Sequence, residues 1–390
     1  MKIGMLADLY HPHLSGVTIH IDQLKRYLEG AGHQVWTFTF GPRLPQDAAH
    51  RIVRSPPLPV APRYGGKRLH LGARLSRSAR EKLDSMDLIH AHHPFISGWL
   101  GTRRAKRRQP LVFTAHTRYD LHLAALAPRP FLGVGQVLLR SYLRWFCPRC
   151  SLVLAPSRAM RQRLEGWKAR GRFQVIPHGI DLEAFAGKNG LAQRRRLGLP
   201  EDAKVLIFVG RLGREKDLDV LLEVLEALSL RWSGLRLLLV GDGPERARLE
   251  RRRTRLQAPD SVGLLGTCPP QEIPALLAAA DLFVTASRSE VFPLSVIEAQ
   301  AAGLPVVGFR APGLNDIVAD GHSGLLARSR RGLKESISRL LEDRSLRRRM
   351  SRNARVRSRH FALESMGSRT LQAYLELLNS ERPALKSRAP

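Results

Sequence analysis

The sequence predicts an α/β protein made of two doubly wound, Rossmann-like domains facing each other across a central cleft. Short apolar stretches bounded by polar turns alternate with stretches of helical period, the pattern of a parallel sheet with helices on both faces. The pattern restarts after a polar, Gly/Pro-marked and highly charged segment, KNGLAQRRRLGLPEDAK at 188–204. A length of 390 residues suits two domains of ordinary size. No short-period repeat is present.

The first half opens with the strand KIGMLA, a polar turn through DLYHPHLSGV, and an amphipathic helix over about Ile19–Glu29. Gly30 and Gly32 stop that helix, and the strand QVWTFTF follows. The loop of this βαβ opening carries Gly16. Further strands are read in MDLIHAHH, PLVFTAHT, SLVLAPS and FQVIPHG. The second half begins with AKVLIFVGRLGREKD, a strand and glycine turn leading into the helix LDVLLEVLEAL. RLLLVGDGPE is a strand ending in a Gly-x-Gly turn, and SVGLLG, ADLFVTAS and PVVGF supply more strands. The tail from about Leu333 to Asn379 reads as mostly helical, with ESMGSRTLQAYLELL its last strongly periodic segment. The expected domains are 1–187 and 188–362, with a C-terminal helix of about 363–380 packing back on the first. Ligands of such sheets bind at the carboxyl ends of the strands, so chemistry is expected in the loops that follow them.

Apolar residues make up 43% of the chain and aromatic residues 6%, which fits a globular α/β protein. No apolar run approaches the ~20 residues needed to span a bilayer. MKIGMLADLY reads as a strand running into a turn, not as a signal peptide, so a cytoplasmic location is expected. Three cysteines, Cys147, Cys150 and Cys268, agree with a reducing compartment. FCPRC contains a CxxC, but no second CxxC and no His pair stands at zinc spacing, so a structural role is expected for it.

The formal net charge is +30, unevenly spread. Residues 1–180 hold 29 Lys and Arg against nine Asp and Glu, a net of +20; the remainder nets +10. Such a field attracts polyanions: nucleic acid, anionic lipid surfaces or phosphorylated substrates. An Arg-favouring genome or a warm habitat gives a similar balance, and the presence of only four asparagines fits the latter. No RNP or zinc-finger signature accompanies the charge, so nucleic acid is not an expected partner.

Residues 287–305, SRSEVFPLSVIEAQAAGLP, place two carboxylates around the start of a helix. Pro293 suits a first helical turn, and Gly303 with Pro305 ends the helix. Glu290 then lies on the loop leaving a strand, and Glu298 about a turn and a half into the helix. The helix N-terminus between them offers unpaired N–H groups and partial positive charge, a seat for phosphate. Carboxylates on either side could accept hydrogen bonds from vicinal hydroxyls at the two ends of a nucleoside diphosphate sugar. In FVGRLGREKDLDVLL, Arg211 and Lys216 follow a strand that ends at Gly210, where cations can neutralise a leaving diphosphate. The string is no Walker A motif, since GxxxxGK[ST] is absent.

These residues carry a resemblance. GRLGREKD, LLLVGDGPE, SEVFPLSVIEAQAAGLPVVGF and PGLNDIVADGHSGLL resemble the carboxyl-terminal half of glycosyltransferase family 4. The SGV loop, GHQV, FTAHTRYD, VLAPS and VIPHGID extend the likeness over nearly the whole chain. The resemblance implies a GT-B fold, a nucleotide-sugar donor, retention of anomeric configuration, no cofactor and no required metal. It implies that Arg211 and Lys216 hold the donor diphosphate, that Glu290 touches the sugar hydroxyls, and that Glu298 binds the ribose. Backbone amides around Phe292, Pro293, Leu294 and Ser295 would meet the phosphate and sugar. Gly16 would let its loop approach the diphosphate, with Ser15 where many relatives have another glycine. His116, in FTAHT, matches the family histidine beside the donor sugar and is assigned a positioning role.

HHPF and TAHTRYDLH resemble the branch that glycosylates diacylglycerol and related lipids. The basic segments RRAKRR at 103–108 and KRLHLGARLSRSAREK at 67–82 lie near them, with the apolar LHLAALAP and FLGVGQVLL. Basic clusters attract anionic headgroups and apolar faces enter the interface. The expected reaction is transfer of glucose from UDP-glucose to a membrane lipid, by an enzyme peripheral on the inner face of the membrane. Transfer of mannose from GDP-mannose to a phosphatidylinositol-type lipid or a polysaccharide intermediate is the rival. A nucleic-acid-binding protein, or a sugar-nucleotide sensor without turnover, represents other classes.

Overall fold

The computed structural model describes residues 1–13, 15–59, 63–64, 67–68, 70–105, 109–121 and 132–386. The chain forms two compact units, Met1–Gly179 with Leu363–Pro390, and Ile180–Ala362.

In the first unit the strands β1 (Lys2–Leu6), β2 (Gln34–Phe40) and β3 (Ile52–Ser55) are followed by a separate antiparallel pair, β4 (Arg63–Tyr64) and β5 (Lys67–Arg68). Then come β6 (Leu88–Ala91), β7 (Leu111–Thr114), β8 (Leu152–Ala155) and β9 (Phe173–Val175). Seven strands form one parallel sheet in the order β3-β2-β1-β6-β7-β8-β9. The strand order therefore reverses between β1 and β6, where Leu6 stands opposite Ala91.

Helix α1 spans Gly16–Gly30, longer at its start than the apolar pattern suggests. Ser15 supplies the reason: its hydroxyl accepts from Thr18 N at 3.2 Å, an N-cap that recruits Gly16 as the first helical residue. Further helices of this unit are α2 (Arg77–Asp84), α3 (Ile96–Ala105), α4 (Leu132–Phe146) and α5 (Arg158–Gly166). The core joins Ile3 and Met5 of β1 to Ile21, Leu24 and Leu28 of α1 and to Tyr374 and Leu377 near the C-terminus.

The second unit contains α6 (Gly190–Arg196), β10 (Lys204–Val209), α7 (Leu218–Ser229), β11 (Leu235–Val240), α8 (Arg246–Arg253), β12 (Val262–Gly266) and α9 (Ile273–Ala278). It continues through β13 (Leu282–Thr285), α10 (Leu294–Ala301), β14 (Val306–Phe309), α11 (Pro312–Ile317), β15 (Gly324–Ala327), α12 (Arg330–Glu342) and α13 (Arg344–Ser358). The parallel sheet has the order β12-β11-β10-β13-β14-β15, so its reversal lies between β10 and β13. KVLIFV of β10 is a near-continuous apolar run because helices cover both of its faces.

Helix α14 (Leu363–Lys386) returns to the first unit and packs on α1. A Cβ on Gly367 would lie 2.3 Å from the Tyr27 ring, so glycine permits that close approach.

The division between units falls at Gly179 and Ile180, earlier than the expected 187/188. Ile180 N donates to Phe361 O at 2.9 Å and bridges Ala362, so entering and leaving chains run side by side within the second unit. The charged segment after 188 is not a linker. It folds as α6, where Arg194 donates to Ala279 O and Asp281.

Candidate active site

The reversal between β10 and β13 makes a crevice at the carboxyl ends of these strands, and the loops leaving them carry Arg211, Lys216 and Glu290. β10 runs into Gly210, whose φ of 156° favours glycine. A Cβ on Gly241, after β11, would lie 2.0 Å from Gly210 O, so the two glycine turns touch backbone to backbone. Beyond them Arg214–Lys216 forms one 3₁₀ turn, ended by Asp217 in the left-handed conformation at φ 49°. That turn brings Lys216 Nζ to 2.5 Å from Glu290 Oε1.

The pair is well shielded, with 18% and 15% of the two side chains exposed. Arg211 donates to Glu215. The hydroxyls of Ser287 and Ser289 donate to Glu215 O at 3.3 and 3.5 Å, tying the two loops together. Burial works to raise the Glu290 pKa, but the Lys216 ammonium, hydrogen bonds from Lys216 and Ser287, and the Arg211 charge outweigh it. The net effect holds the carboxyl below its ordinary value. Beneath this loop, a Cβ on Gly313 of α11 would lie 2.3 Å from Glu290 O and 2.8 Å from Val291 O.

Helix α10 starts at Leu294 with Pro293 as N-cap and no side chain capping it. Val296 N donates to Pro293 O at 3.2 Å, and the amides before it, of Leu294 and Ser295, lie at the positive end of the helix dipole, ahead of the first intrahelical bond. Phe292 is buried edge-on against Phe361, 5.6 Å between centroids, which fixes the entry to the helix. Ser295 and Glu298 are one turn apart on the partly exposed face, while Leu294, Val296, Ile297, Ala299 and Gln300 are buried. Desolvation pushes the Glu298 carboxyl up to about 7. Unpaired amides, two cations and two carboxylates of unlike pKa thus gather around one strand-order reversal. Such a set can bind a diphosphate and accept hydrogen bonds from hydroxyls at either end of it.

His116 and Gly16 belong to the first unit. His116 lies after β7, with its Nε2 3.0 Å from His92 Nδ1 and its Nδ1 3.2 Å from His178 Nε2. The His20 ring, from α1, packs 4.8 Å from it centroid to centroid. All four histidines are buried. Burial, and for all but His20 the neighbouring imidazoles, lower their pKa values: His20 to about 3, His92, His116 and His178 well below the ordinary value. His116 is therefore presented as a neutral imidazole. Of these four, only His116 stands in a motif that marks it in the sequence; His20, His92 and His178 are placed beside it by the fold. The signal was there: His92, His116 and His178 each follow a strand, at the ligand-binding edge of the sheet. Gly16 precedes His20 by about one turn of α1, and a Cβ on it would meet nothing within 4 Å. Nothing described within the chain requires glycine there.

Cys147 and Cys150 are free and buried, and burial pushes the Cys147 thiol up to about 12 and Cys150 upward as well, so neither is a reactive thiolate.

Part of the basic surface is committed internally. Arg104 donates to both carboxylate oxygens of Asp84 at 2.8 Å, and Arg103 lies over the Trp99 ring at 4.0 Å. Residues 106–108 of RRAKRR, most of LHLAALAP and the first residue of FLGVGQVLL fall outside the described residues. Helix α4 buries Leu139, Leu143 and Phe146 but exposes Val134, Val137 and Leu138 by 60%, 61% and 64%. Arg140 and Arg144 are exposed on the same helix. No helix among the described residues is long and apolar enough to cross a membrane.

Residues 191–357 match the family model of Glycosyl transferases group 1, and residues 14–184 match that of Glycosyltransferase Family 4. Curated relatives include the alpha-monoglucosyldiacylglycerol synthase of Acholeplasma laidlawii, 27% identical with all of both chains covered. That of Streptococcus pneumoniae is 30% identical over 84% of this chain and 75% of its own. The D-inositol 3-phosphate glycosyltransferase of Nocardia farcinica is 33% identical over 77% of this chain and 68% of its own. Among solved structures, sucrose-phosphate synthase from Thermosynechococcus elongatus aligns with a TM-score of 0.80 at 23% identity, over 97% of this chain and 99% of that one. HepE of Anabaena, in complex with UDP and glucose, aligns with a TM-score of 0.77 at 22% identity, over 96% and 100%. The chain has the GT-B fold and belongs to glycosyltransferase family 4.

Proposed function

We propose that the chain is a retaining, metal-independent hexosyltransferase that moves glucose from UDP-glucose to a hydroxyl of a membrane lipid such as diacylglycerol. The observation that carries this reading is the Lys216–Glu290 pair held beside the uncapped start of α10, with Glu298 in the second turn of that helix. The donor diphosphate lies against the amides around Phe292–Ser295 and is neutralised by Arg211 and Lys216. Ribose hydroxyls donate to Glu298, and sugar hydroxyls donate to Glu290. His116 orients the donor sugar as a neutral hydrogen-bonding group, and Gly16 leaves room for the diphosphate.

As the bond between sugar C1 and the diphosphate oxygen breaks, negative charge grows on that phosphate. The acceptor hydroxyl oxygen bonds to C1 on the face the leaving group vacates, and its proton passes to the departing phosphate oxygen. Fixed cations and helix amides stabilise the developing charge, worth about 10²–10³ in rate for a well-placed donor.

Two relatives named for monoglucosyldiacylglycerol synthesis support the lipid acceptor, and the HepE complex with UDP and glucose supports the donor. A net charge of +20 on residues 1–180 and the exposed apolar face of α4 support an anionic membrane surface as partner. The enzyme would then work peripherally, on the cytoplasmic face. Transfer from GDP-mannose to a phosphatidylinositol-type lipid or a polysaccharide intermediate is the second reading, favoured by the inositol phosphate glycosyltransferase relatives.

Melting temperature in UDP, GDP, UDP-glucose and GDP-mannose tests the donor. A ligand at 100 times its dissociation constant adds roughly 2.7 kcal/mol of stability. A rise confined to the uridine compounds is expected. A rise confined to the guanosine compounds would move the donor to the second reading, and no rise with any of the four would overturn the site.

A further inference from the structure

We infer that Arg357, near the end of α13, is a positioning residue of the donor site that acts through the loop of Glu290. The sequence of α13, RSLRRRMSRNARVRS, holds seven arginines and no acidic residue. Arg344, Arg348, Arg349 and Arg352 are exposed, whereas Arg357 is half-buried and turned onto α11. Its Nε donates to Ile317 O at 2.9 Å and its Nη2 to Asp316 O at 2.8 Å. These are the last two carbonyls of α11, groups that an α-helix leaves without an intrahelical partner. A planar guanidinium satisfies both at once and sets a cation at the negative end of the helix, which the point charge of a lysine does less well.

The other end of α11 supports the site. A Cβ on its Gly313 would lie 2.3 Å from Glu290 O and 2.8 Å from Val291 O, so helix and loop touch backbone to backbone. Gly313 and Ile317 are separated by about 6 Å of helical rise, so the two ends of α11 move as one short rod. The Arg357 guanidinium also lies over the Phe361 ring, 5.3 Å from its centroid, and Phe361 meets Phe292 edge-on at 5.6 Å. Both supports of residues 290–292 therefore contact Arg357: α11 against the first two and Phe361 against the third. Two residues earlier, Arg355 donates to Ala302 O at 3.2 Å, so α13 also holds the far end of α10.

Glu290 is fixed on one side by Lys216 and on the other by a backbone that Arg357 braces. A displacement of about 1 Å at a reacting centre can cost on the order of 10²-fold in rate. The inference rests on the proposed contact of Glu290 with the donor sugar.

The test uses the full chain and the variants Arg357→Met, which keeps the stem over Phe361, and Arg357→Lys, which keeps the charge should the first unfold. Arg348→Met, on the exposed face of the same helix, is the control. Hydrogen exchange without ligand reads the geometry apart from turnover: in Arg357→Met the amides of 288–296 should exchange roughly tenfold faster, with β10 and α7 unchanged. Turnover is measured at saturating donor with whichever of UDP-glucose and GDP-mannose raises the wild-type melting temperature. Arg357→Met should lose about 10–100-fold in kcat, Arg357→Lys less, and Arg348→Met nothing. Placed on Glu290→Ala, Arg357→Met should cost little more, because two residues that act as a unit are not additive. A purely structural role would lower activity by the same factor in both backgrounds, and that result would overturn the inference. Wild-type exchange at 288–296, or wild-type kcat in a folded Arg357→Met, would overturn it as well. Wild-type turnover in Glu290→Ala alone would instead remove the reading of Glu290 on which it rests.

Discussion

Glu290 and Glu298 show how environment separates two chemically alike side chains. Glu290 faces Lys216 and stays ionised; Glu298 has no such cation, and desolvation pushes its carboxyl up to about 7. Replacing Glu290 with alanine leaves Lys216 without its counter-ion and removes the proposed sugar contact. Transfer should fall by about 10²–10³ in kcat, while UDP binding, followed by calorimetry, stays close to wild type. Turnover near the wild-type rate in Glu290→Ala would remove Glu290 from the site. Glu298 has a linked consequence. Its folded pKa lies above its unfolded value of 4.5, so the folded state holds the proton more tightly. That contribution to stability is full below about 4.5 and is lost as pH rises to about 7, with a span of at most on the order of 3 kcal/mol, less for partial exposure. Without ligand, Glu298→Gln should therefore gain on the wild type as pH rises from 5 to 8 in urea titrations, and a difference independent of pH would sink this account. The same variant should bind UDP roughly 10–100-fold more weakly at pH 8, the loss of hydrogen bonds to a charged acceptor. Both carboxylates were legible in the sequence because they flank a helix start. The histidine cluster was legible only in part: His92, His116 and His178 each follow a strand, but His20 lies on α1 and only the fold brings the four together.

At the scale of elements, strands and their order of appearance were readable from apolar runs, while boundaries set by one polar atom were not. The Ser15 cap moves the start of α1 back to Gly16, and the pairing of Ile180 with Phe361 and Ala362 moves the division of the chain ahead of 188. A charged sequence such as LAQRRR looks like a linker until Arg194 is seen to bond Ala279 O and Asp281. Glycines likewise gain meaning only from what they touch. Gly313, inside PGLNDI, sits where a Cβ would press into Glu290 O and Val291 O at 2.3 and 2.8 Å. Neither is the movable end of a side chain, so Gly313→Ala must push the Glu290 loop away from α11. Overpacking of this kind costs about 1–3 kcal/mol, read as a lower urea midpoint at unchanged slope. Because the displaced loop holds Glu290 against Lys216, transfer should fall as well. Wild-type stability together with wild-type turnover in Gly313→Ala would show that the loop is not held by this contact.

For the molecule as a whole, the excess of positive charge was plain in the sequence, but which charges are free to act outward was not. Arg104 is paired with Asp84, so the basic run at 103–108 offers less net charge to a membrane than its composition suggests, while Arg103 over Trp99 stays exposed and charged. In the proposed membrane role the exposed Val134, Val137 and Leu138 of α4 would provide the apolar half of an interfacial surface, with Arg140 exposed on the same helix, while Arg144 donates to Trp167 O at 2.7 Å. Long-range attraction and local insertion are separable. Attraction is screened as the Debye length shrinks from about 10 Å at 0.1 M salt to about 3 Å at 1 M. Insertion depends on apolar area and strengthens little with dilution of salt. Co-sedimentation with anionic vesicles should therefore be strong at low salt, fall steeply as salt is added, and be weak with zwitterionic vesicles throughout. Leu138→Asp changes an exposed side chain, so stability should move by no more than about 0.5 kcal/mol, yet it places a like charge against the bilayer and opposes insertion. Its binding to anionic vesicles should drop at every salt concentration, with the salt dependence retained. Equal partition onto anionic and zwitterionic vesicles would reject the electrostatic part of the argument, and undiminished binding of Leu138→Asp would reject α4 as the inserting face.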